Sequence, residues 1–424
     1  MESVDVASPA LDRHIAGCLY CGRPGPYSDE HVVSAGLGGD DSAWMLRGCV
    51  CSRCNTSTFS KLEAHVLKAS PIGLARLFMQ PTTRDGQPPS PLQAYTTLQL
   101  SDDGPQLAGQ LAASGQPELY AQVVFEKDES GTVSEHAIGP DRPAIANLFG
   151  TLRDRLGDEL VLIEKHAASS FTVTPLNWQV DRYRADVPSD LRKPPNRGIW
   201  FEPIRRPSSP ESSEAWSVFQ NPRSGQLVGR APDIHHLRAM LSLLRVDLDA
   251  LEATLDQPVV AGAAAGGGVN LQVKADLHAI DRTLVKIGLN LTAHLFAPGA
   301  LRRVEFDAAV AYAIGEGAAP RRAQLPSELL GPAIANRHVF CLSVDTDPKG
   351  NPALLFMARL YDAGPVESFV LAQFVAAPPK LESTVVHVDY TANQFERMTL
   401  EKHLLRAHRL TGDADLGLLS EDEA

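Results

Sequence analysis

Two Cys-x-x-Cys pairs, Cys18/Cys21 and Cys51/Cys54, stand 29 residues apart near the start of a 424-residue chain. Each pair offers two thiolates from one tight turn. Zinc favours four soft ligands in a tetrahedron, so two such pairs at this separation specify one structural ion. A single pair would suit a redox motif, and the doubling argues against that. Sulfur fills all four positions and leaves no open coordination site, so the metal should fold the segment and perform no chemistry itself. The remaining cysteines, Cys49 and Cys341, read as small buried hydrophobes.

A chain of this length exceeds one ordinary core and suggests two or three domains. Its hydrophobic fraction of 44% and charged fraction of 21% are those of a folded chain, not a disordered one. No run of eighteen apolar residues offers a membrane span. The opening MESVDVASPALDRH has no basic stretch before an apolar core, and the cysteine pairs suit a reducing compartment, so a cytoplasmic protein is expected.

A net charge of −12 counts against nucleic-acid binding, but the charge is unevenly spread. The terminal GDADLGLLSEDEA carries five acids and no base, whereas residues 1–80 hold seven Lys/Arg against eight Asp/Glu. Affinity for DNA would then rest on local basic patches.

Three segments follow from the patterning. Residues 1–75 are rich in cysteine and glycine. Residues 76–260 open with strand-like runs, including LYAQVVFEKDESGTVSEHAI, a hairpin turning at Glu129-Ser130-Gly131. A helix (PAIANLFGTLRDRLG), another strand-like run (SSFTVTPLNWQVDRYRA) and the Pro/Ser/Arg loop RRPSSPESSE come next. The segment closes with IHHLRAMLSLLRVDLDALEATL. There Ile234, Leu237, Leu241, Leu244, Leu248 and Leu251 recur at helical spacing behind Asp233 as N-cap. The pair His235/His236 reads as a helix start.

Residues 261–424 begin with the small-residue run AGAAAGGGVN, a linker or a long loop. The helix DLHAIDRTLVKIGLNLTAHLF and a shorter one ended by glycine follow. The strands HVFCLSVD, PALLFMARLYD and VESFVLAQFV then precede a last helix, FERMTLEKHLLRAH. The fold class expected is α+β throughout.

Between the cysteine pairs the chain reads Ser28-Asp29-Glu30-His31-Val32-Val33-Ser34-Ala35-Gly36-Leu37-Gly38-Gly39, and Asn55 follows the second pair at once. This order resembles the zinc-containing branch of the HNH (ββα-metal) endonucleases: C-x2-C, an acid-His-aliphatic-aliphatic run, Gly-Gly, then C-x2-C-N. The likeness covers about residues 16–65. A weaker one lies in Arg282-Thr283-Leu284-Val285-Lys286-Ile287-Gly288-Leu289-Asn290, with Phe306-Asp307 and Ile314-Gly315-Glu316-Gly317, which is similar to bacterial HNH proteins of about this length.

The resemblance implies an N-terminal ββα module that hydrolyses phosphodiester bonds in DNA. His31 would be the general base, since a neutral imidazole accepts a proton from water near pH 7. Glu30 and Asn55 would ligate a catalytic Mg²⁺ or Mn²⁺, a hard ion that keeps much of its hydration. Asp29 competes with Glu30 for that role. Cleavage would leave 5′-phosphate and 3′-hydroxyl ends. The sequence departs from the pattern in three places. Ser34 stands where proline is usual. No clear asparagine orients the histidine, with Ser42 the nearest substitute. Thr58 stands where a basic residue is common, with Lys61 one turn on. Glu63 and His65 read as surface or packing residues, Glu63 with the option of supporting the site.

Lys286 and Asn290, one helical turn apart, either meet a phosphate or lie on a solvated face. Basic groups also gather at Arg192, Lys193 and Arg197, and at Arg205 and Arg206. Lys402, Arg406 and Arg409 form a stripe on the last helix that would track a nucleic-acid backbone unless Glu396 and Glu401 pair with it. The functional expectation is a metal-dependent DNA endonuclease, a hydrolase serving as a prokaryotic antiviral defence effector. Its C-terminal region would sense a protein partner or small-molecule trigger. The alternative is a catalytically silent, zinc-stabilised protein that binds nucleic acid or protein.

Overall fold

The structure is a computed structural model. It describes residues 17–411 except 41, 81, 84, 88–91, 93–94, 100–105, 113–115, 128–131, 168–169, 205–214, 223, 254–267, 274–275, 324, 347–350, 362–363 and 375–381. The hairpin turn at 129–131, the loop 205–214 with Arg205 and Arg206, most of the small-residue linker and the acidic tail therefore lie outside the described residues.

Two compact units make up the chain: residues 1–93 with 273–424, and residues 94–272. The first unit opens with β1 (Tyr27–His31), β2 (Met45–Cys51), α1 (Ser60–Ala69) and α2 (Pro71–Met79). Arg53–Phe59 is a π-helical stretch leading into α1.

The second unit begins with β3 (Tyr95–Gln99), β4 (Gln106–Leu111), β5 (Pro117–Leu119), β6 (Gln122–Lys127) and β7 (Val133–Ile138). Next come α3 (Arg142–Arg155), β8 (Glu159–Ala167), β9 (Ser170–Gln179), β10 (Arg182–Ala185) and β11 (Ser189–Leu191). It ends with β12 (Ile199–Pro203), β13 (Trp216–Gln220), β14 (Leu227–Ala231), α4 (Ile234–Ala253) and β15 (Gly268–Gln272).

The chain then returns to the first unit with α5 (Leu277–Leu295), α6 (Asp307–Ile314), β16 (Arg337–Thr346) and β17 (Pro352–Arg359). The last elements are β18 (Val366–Gln373), β19 (Thr384–Asp389), β20 (Gln394–Thr399) and α7 (Leu400–Thr411). The fold is mixed α+β, with four sheets among the described residues.

In the first unit an antiparallel sheet of order β18-β17-β16-β19-β20 packs against α5. The other side of α5 meets β2 and α1. Every residue from Thr283 to Ala293 is buried, as expected of a helix that must be covered on all faces. One apolar core runs from Leu19, Val32 and Phe59 through Leu284 and Ile287 to Phe340 and Phe356. This core explains why the first and third sequence segments form one unit. The boundary expected at residue 75 falls inside α2.

In the second unit a mixed sheet runs β10-β9-β8-β12-β14-β13-β6-β7, with β11 on β9. Strand β12 lies parallel to both β8 and β14. The apolar stripes of α3 and α4 bury Ile145, Leu148, Phe149, Leu237, Leu241 and Leu244 with this sheet. Asp233 caps α4, accepting from the backbone N–H groups of His235 and His236 at 2.9 Å each. A second, smaller sheet runs β15-β3-β4-β5.

Two expectations about elements are corrected. The end of the supposed linker, Gly268–Asn270, is strand and pairs with Thr97–Gln99. The segment Phe395–Thr399, expected as helix, is strand β20, paired with β19. Its side chains alternate against Val385–Val388, and helix begins only at Leu400.

Candidate functional site

Four sulfurs converge where the sequence placed them. The ligand atoms of Cys18, Cys21, Cys51 and Cys54 all lie within 4.8 Å of one another. Sulfurs arranged about a tetrahedral zinc at the usual bond length sit about 3.8 Å apart, and Cys21 and Cys51 are at 3.6 Å. Each knuckle also aims an N–H at a sulfur: Tyr20 at Cys18 (3.4 Å) and Cys54 at Cys51 (3.5 Å). The first turn needs Gly17 at φ +93°, because a Cβ there would meet the Gly22 carbonyl oxygen at 2.3 Å. Hydrogen bonding from Cys54 lowers the Cys18 thiol to about 4, and the same contact raises Cys54 far above its ordinary value. Four clustered sulfurs are a donor set that fits zinc. Cys49 stands apart, buried, with its thiol on the Arg47 carbonyl at 3.1 Å.

Strand β1 carries the Asp-Glu-His run, and its pairing with β2 shifts register between Ser28 and Glu30. Asp29, at that shift, is exposed, Glu30 is buried and His31 is half-buried, so Glu30 turns inward while Asp29 and His31 lie toward solvent. Asn55, in the π-helical stretch after the second knuckle, donates from Nδ2 to the Asp29 carbonyl at 2.7 Å. The structure thus brings Asn55 to the strand segment that bears His31, with its Oδ1 left for another partner. Ser42, considered as a substitute for the orienting asparagine, is turned to Asp40 at 2.7 Å.

Glu30 faces inward and is 3% exposed. Its Oε1 pairs with the ammonium of Lys286 and accepts from Asn290 Nδ2 at 3.3 Å. Lys286, with no exposed surface, also lies 2.5 Å from Glu63 Oε1. Ser34 donates to that same oxygen at 2.6 Å. Asn290 further donates to the His31 carbonyl at 2.8 Å and accepts from the Tyr20 hydroxyl at 2.5 Å. The Phe59 ring lies 5.4 Å from the ammonium. Burial raises Glu30 above the ordinary carboxylate range while Lys286 pulls it down. Burial also works against the ammonium, and Glu30 and Glu63 outweigh it, so Lys286 is held charged well above neutral pH.

Both sequence readings of Lys286 and Asn290 are therefore corrected. They meet neither phosphate nor solvent, but brace β1, α1 and the first knuckle from within. The available signal was a lysine and an asparagine one turn apart inside the apolar run Leu284–Leu291. Such a pair must find buried partners.

For a hard divalent ion, the donor set expected from Glu30 and Asn55 is split across the strand. Glu30 is engaged by Lys286 on the inner side and does not fit. Toward solvent, the exposed Asp29 and the half-buried Asn55 offer a carboxylate and an amide oxygen, hard donors of the kind Mg²⁺ and Mn²⁺ take. His65 is half-exposed and lies 3.5 Å from Asp276.

On α7, Lys402 and Arg406 are exposed, and Arg406 pairs with Glu396 at 2.7 Å, an acid that Arg337 also holds at 2.8 Å. The side chain of Arg409 lies outside the described residues. No helix among the described residues is long and apolar enough to cross a membrane. No protein-family model, curated protein or solved structure matches this chain.

Proposed function

We propose that the first unit carries an HNH-type endonuclease module that hydrolyses phosphodiester bonds in DNA. One observation carries the reading: Asn55 is bonded to the backbone of Asp29, two residues from His31, on a β-hairpin flanked by four clustered cysteines. His31 accepts the proton of the attacking water through its imidazole. The bond from Asn290 to the His31 carbonyl fixes the strand end from which that ring projects. Asp29 and Asn55 would hold Mg²⁺ or Mn²⁺, which supplies charge stabilisation at the phosphate and at the leaving oxygen. Glu30 is assigned to the inner brace with Lys286 and Glu63, not to the ion.

The test is nicking of supercoiled plasmid by the purified chain, with divalent metals varied and His31→Ala as control. Cleavage that needs Mg²⁺ or Mn²⁺ and is lost in the variant supports the reading. Metal-independent or unaltered cleavage contradicts it.

A second reading has one specific observation behind it. The acid that precedes the histidine in the HNH pattern is neutralised here by a buried lysine. A zinc-stabilised binding module without catalysis would tolerate that exchange. Plasmid that is retarded on a gel but never nicked at any metal concentration would favour it.

A further inference from the structure

The second unit holds a cavity of about 380 Å³ between the C-terminal end of α3, the loop leading into β12 and the turn from β13 to β14. That size falls within the range of ~300–1,000 Å³ usual for small-molecule sites. Its polar lining comprises Arg155, Lys193, Asn196, Trp200, Ser224 and Gln226, with no acidic side chain among the described residues. Two cations therefore face donors and an indole.

The Arg155 guanidinium is incompletely satisfied. Its Nε lies 3.5 Å from the exposed carboxylate of Asp154, whereas its buried Nη1 has no hydrogen-bond partner among the described residues. An anion in the cavity would meet the accessible remainder of this guanidinium, whose side chain is 28% exposed. A guanidinium fork matches two oxygens of a phosphate. Trp200 is set by an edge-on contact with Phe171 at 5.9 Å between ring centroids. A flat ring in the cavity would lie beside this indole. Of the basic run Arg192, Lys193 and Arg197, Lys193 lines the cavity.

We propose that this cavity binds a nucleotide, with its phosphate on Arg155 and Lys193 and its base against Trp200. The proposal is independent of the nuclease reading, because every residue it uses belongs to the other compact unit. The nucleotide could be free or the end of a single strand, and the chemistry recognised is the same.

The test is calorimetric titration of the full chain, without added divalent metal, using adenosine 5′-monophosphate, adenosine, inorganic phosphate and a short oligothymidylate. The monophosphate should bind more tightly than adenosine or phosphate alone. Arg155→Gln should weaken it about tenfold or more. Trp200→Leu should weaken the monophosphate roughly five- to a hundredfold while sparing phosphate. If Arg155→Gln compromises folding, the exposed Lys193→Gln serves instead and should weaken binding several-fold. An oligonucleotide that competes with the monophosphate and is lost in the same variants identifies a strand end. One that does not compete identifies a free nucleotide. Monophosphate binding no tighter than phosphate, or indifferent to both Arg155→Gln and Lys193→Gln, overturns the proposal.

Discussion

The ammonium of Lys286 lies 2.5 Å from the carboxylate of Glu63, with Glu30 on its other side and no exposed surface of its own. Breaking a buried ion pair from one side costs about 3–5 kcal/mol, because the remaining charge has no solvent to turn to. Lys286→Met should therefore lose stability of that order in urea denaturation, and adding Glu30→Gln should restore part of it. The pH dependence has a definite sign. Without the ammonium, burial and the neighbouring Glu63 raise Glu30 against His31 alone. A carboxyl whose folded pKa is raised favours the fold at low pH and loses that advantage as pH rises through it. Lys286→Met should thus be less destabilised at pH 5 than at pH 8. Equal losses at both would contradict an ionic role.

Zinc should be integral to the first unit. The knuckles share one core with α5 and the five-stranded sheet, so Cys18→Ser or Cys54→Ser should lower hydrogen-exchange protection across β1, β2, α1 and α5. Elemental analysis should find close to one zinc per chain, removed by chelators with loss of fold in this unit. A folded, zinc-free chain would contradict the assignment.

Acid should also loosen the first unit. Burial lowers His387 to about 4 and His338 to about 3. His387 lies 3.1 Å from His403, which burial lowers as well. A histidine kept neutral in the fold takes up its proton on unfolding, so stability falls as pH drops below about 6.5. Each such group contributes a slope of up to about 1.4 kcal/mol per pH unit. Urea midpoints from pH 7 to 5 should show the decline, and His387→Gln should flatten it.

The α7 stripe makes a narrower prediction. Changing Lys402, Arg406 and Arg409 to Ala should weaken DNA affinity and flatten its salt dependence, since fewer counterions are released. An unchanged slope would mean that Arg406 serves only its pair with Glu396.

Legibility followed the range of each interaction. The cysteine pairs, α4 and α5 were readable because spacing and periodicity are local signals. Strand β20 reads as helix in the sequence because FERMTLEKHLL runs without punctuation, and only pairing with β19 separates strand from helix. Glu30 was assigned to the ion on its position in the motif. Its burial depends on Lys286, which lies 256 residues away in the chain and enters through a core the sequence does not announce.

The most direct test measures the initial rate of plasmid nicking against Mg²⁺ or Mn²⁺ concentration for wild type, His31→Ala, Asp29→Asn, Asn55→Ala and Glu30→Gln. His31→Ala should lower the saturated rate by roughly 10²–10⁴-fold, the usual scale of general acid–base catalysis, without moving the metal requirement. Asp29→Asn and Asn55→Ala should raise the metal concentration needed. Glu30→Gln should reduce stability and leave that requirement in place. A His31→Ala variant that keeps the full saturated rate, or a Glu30→Gln variant that alone shifts the metal requirement, would contradict the account.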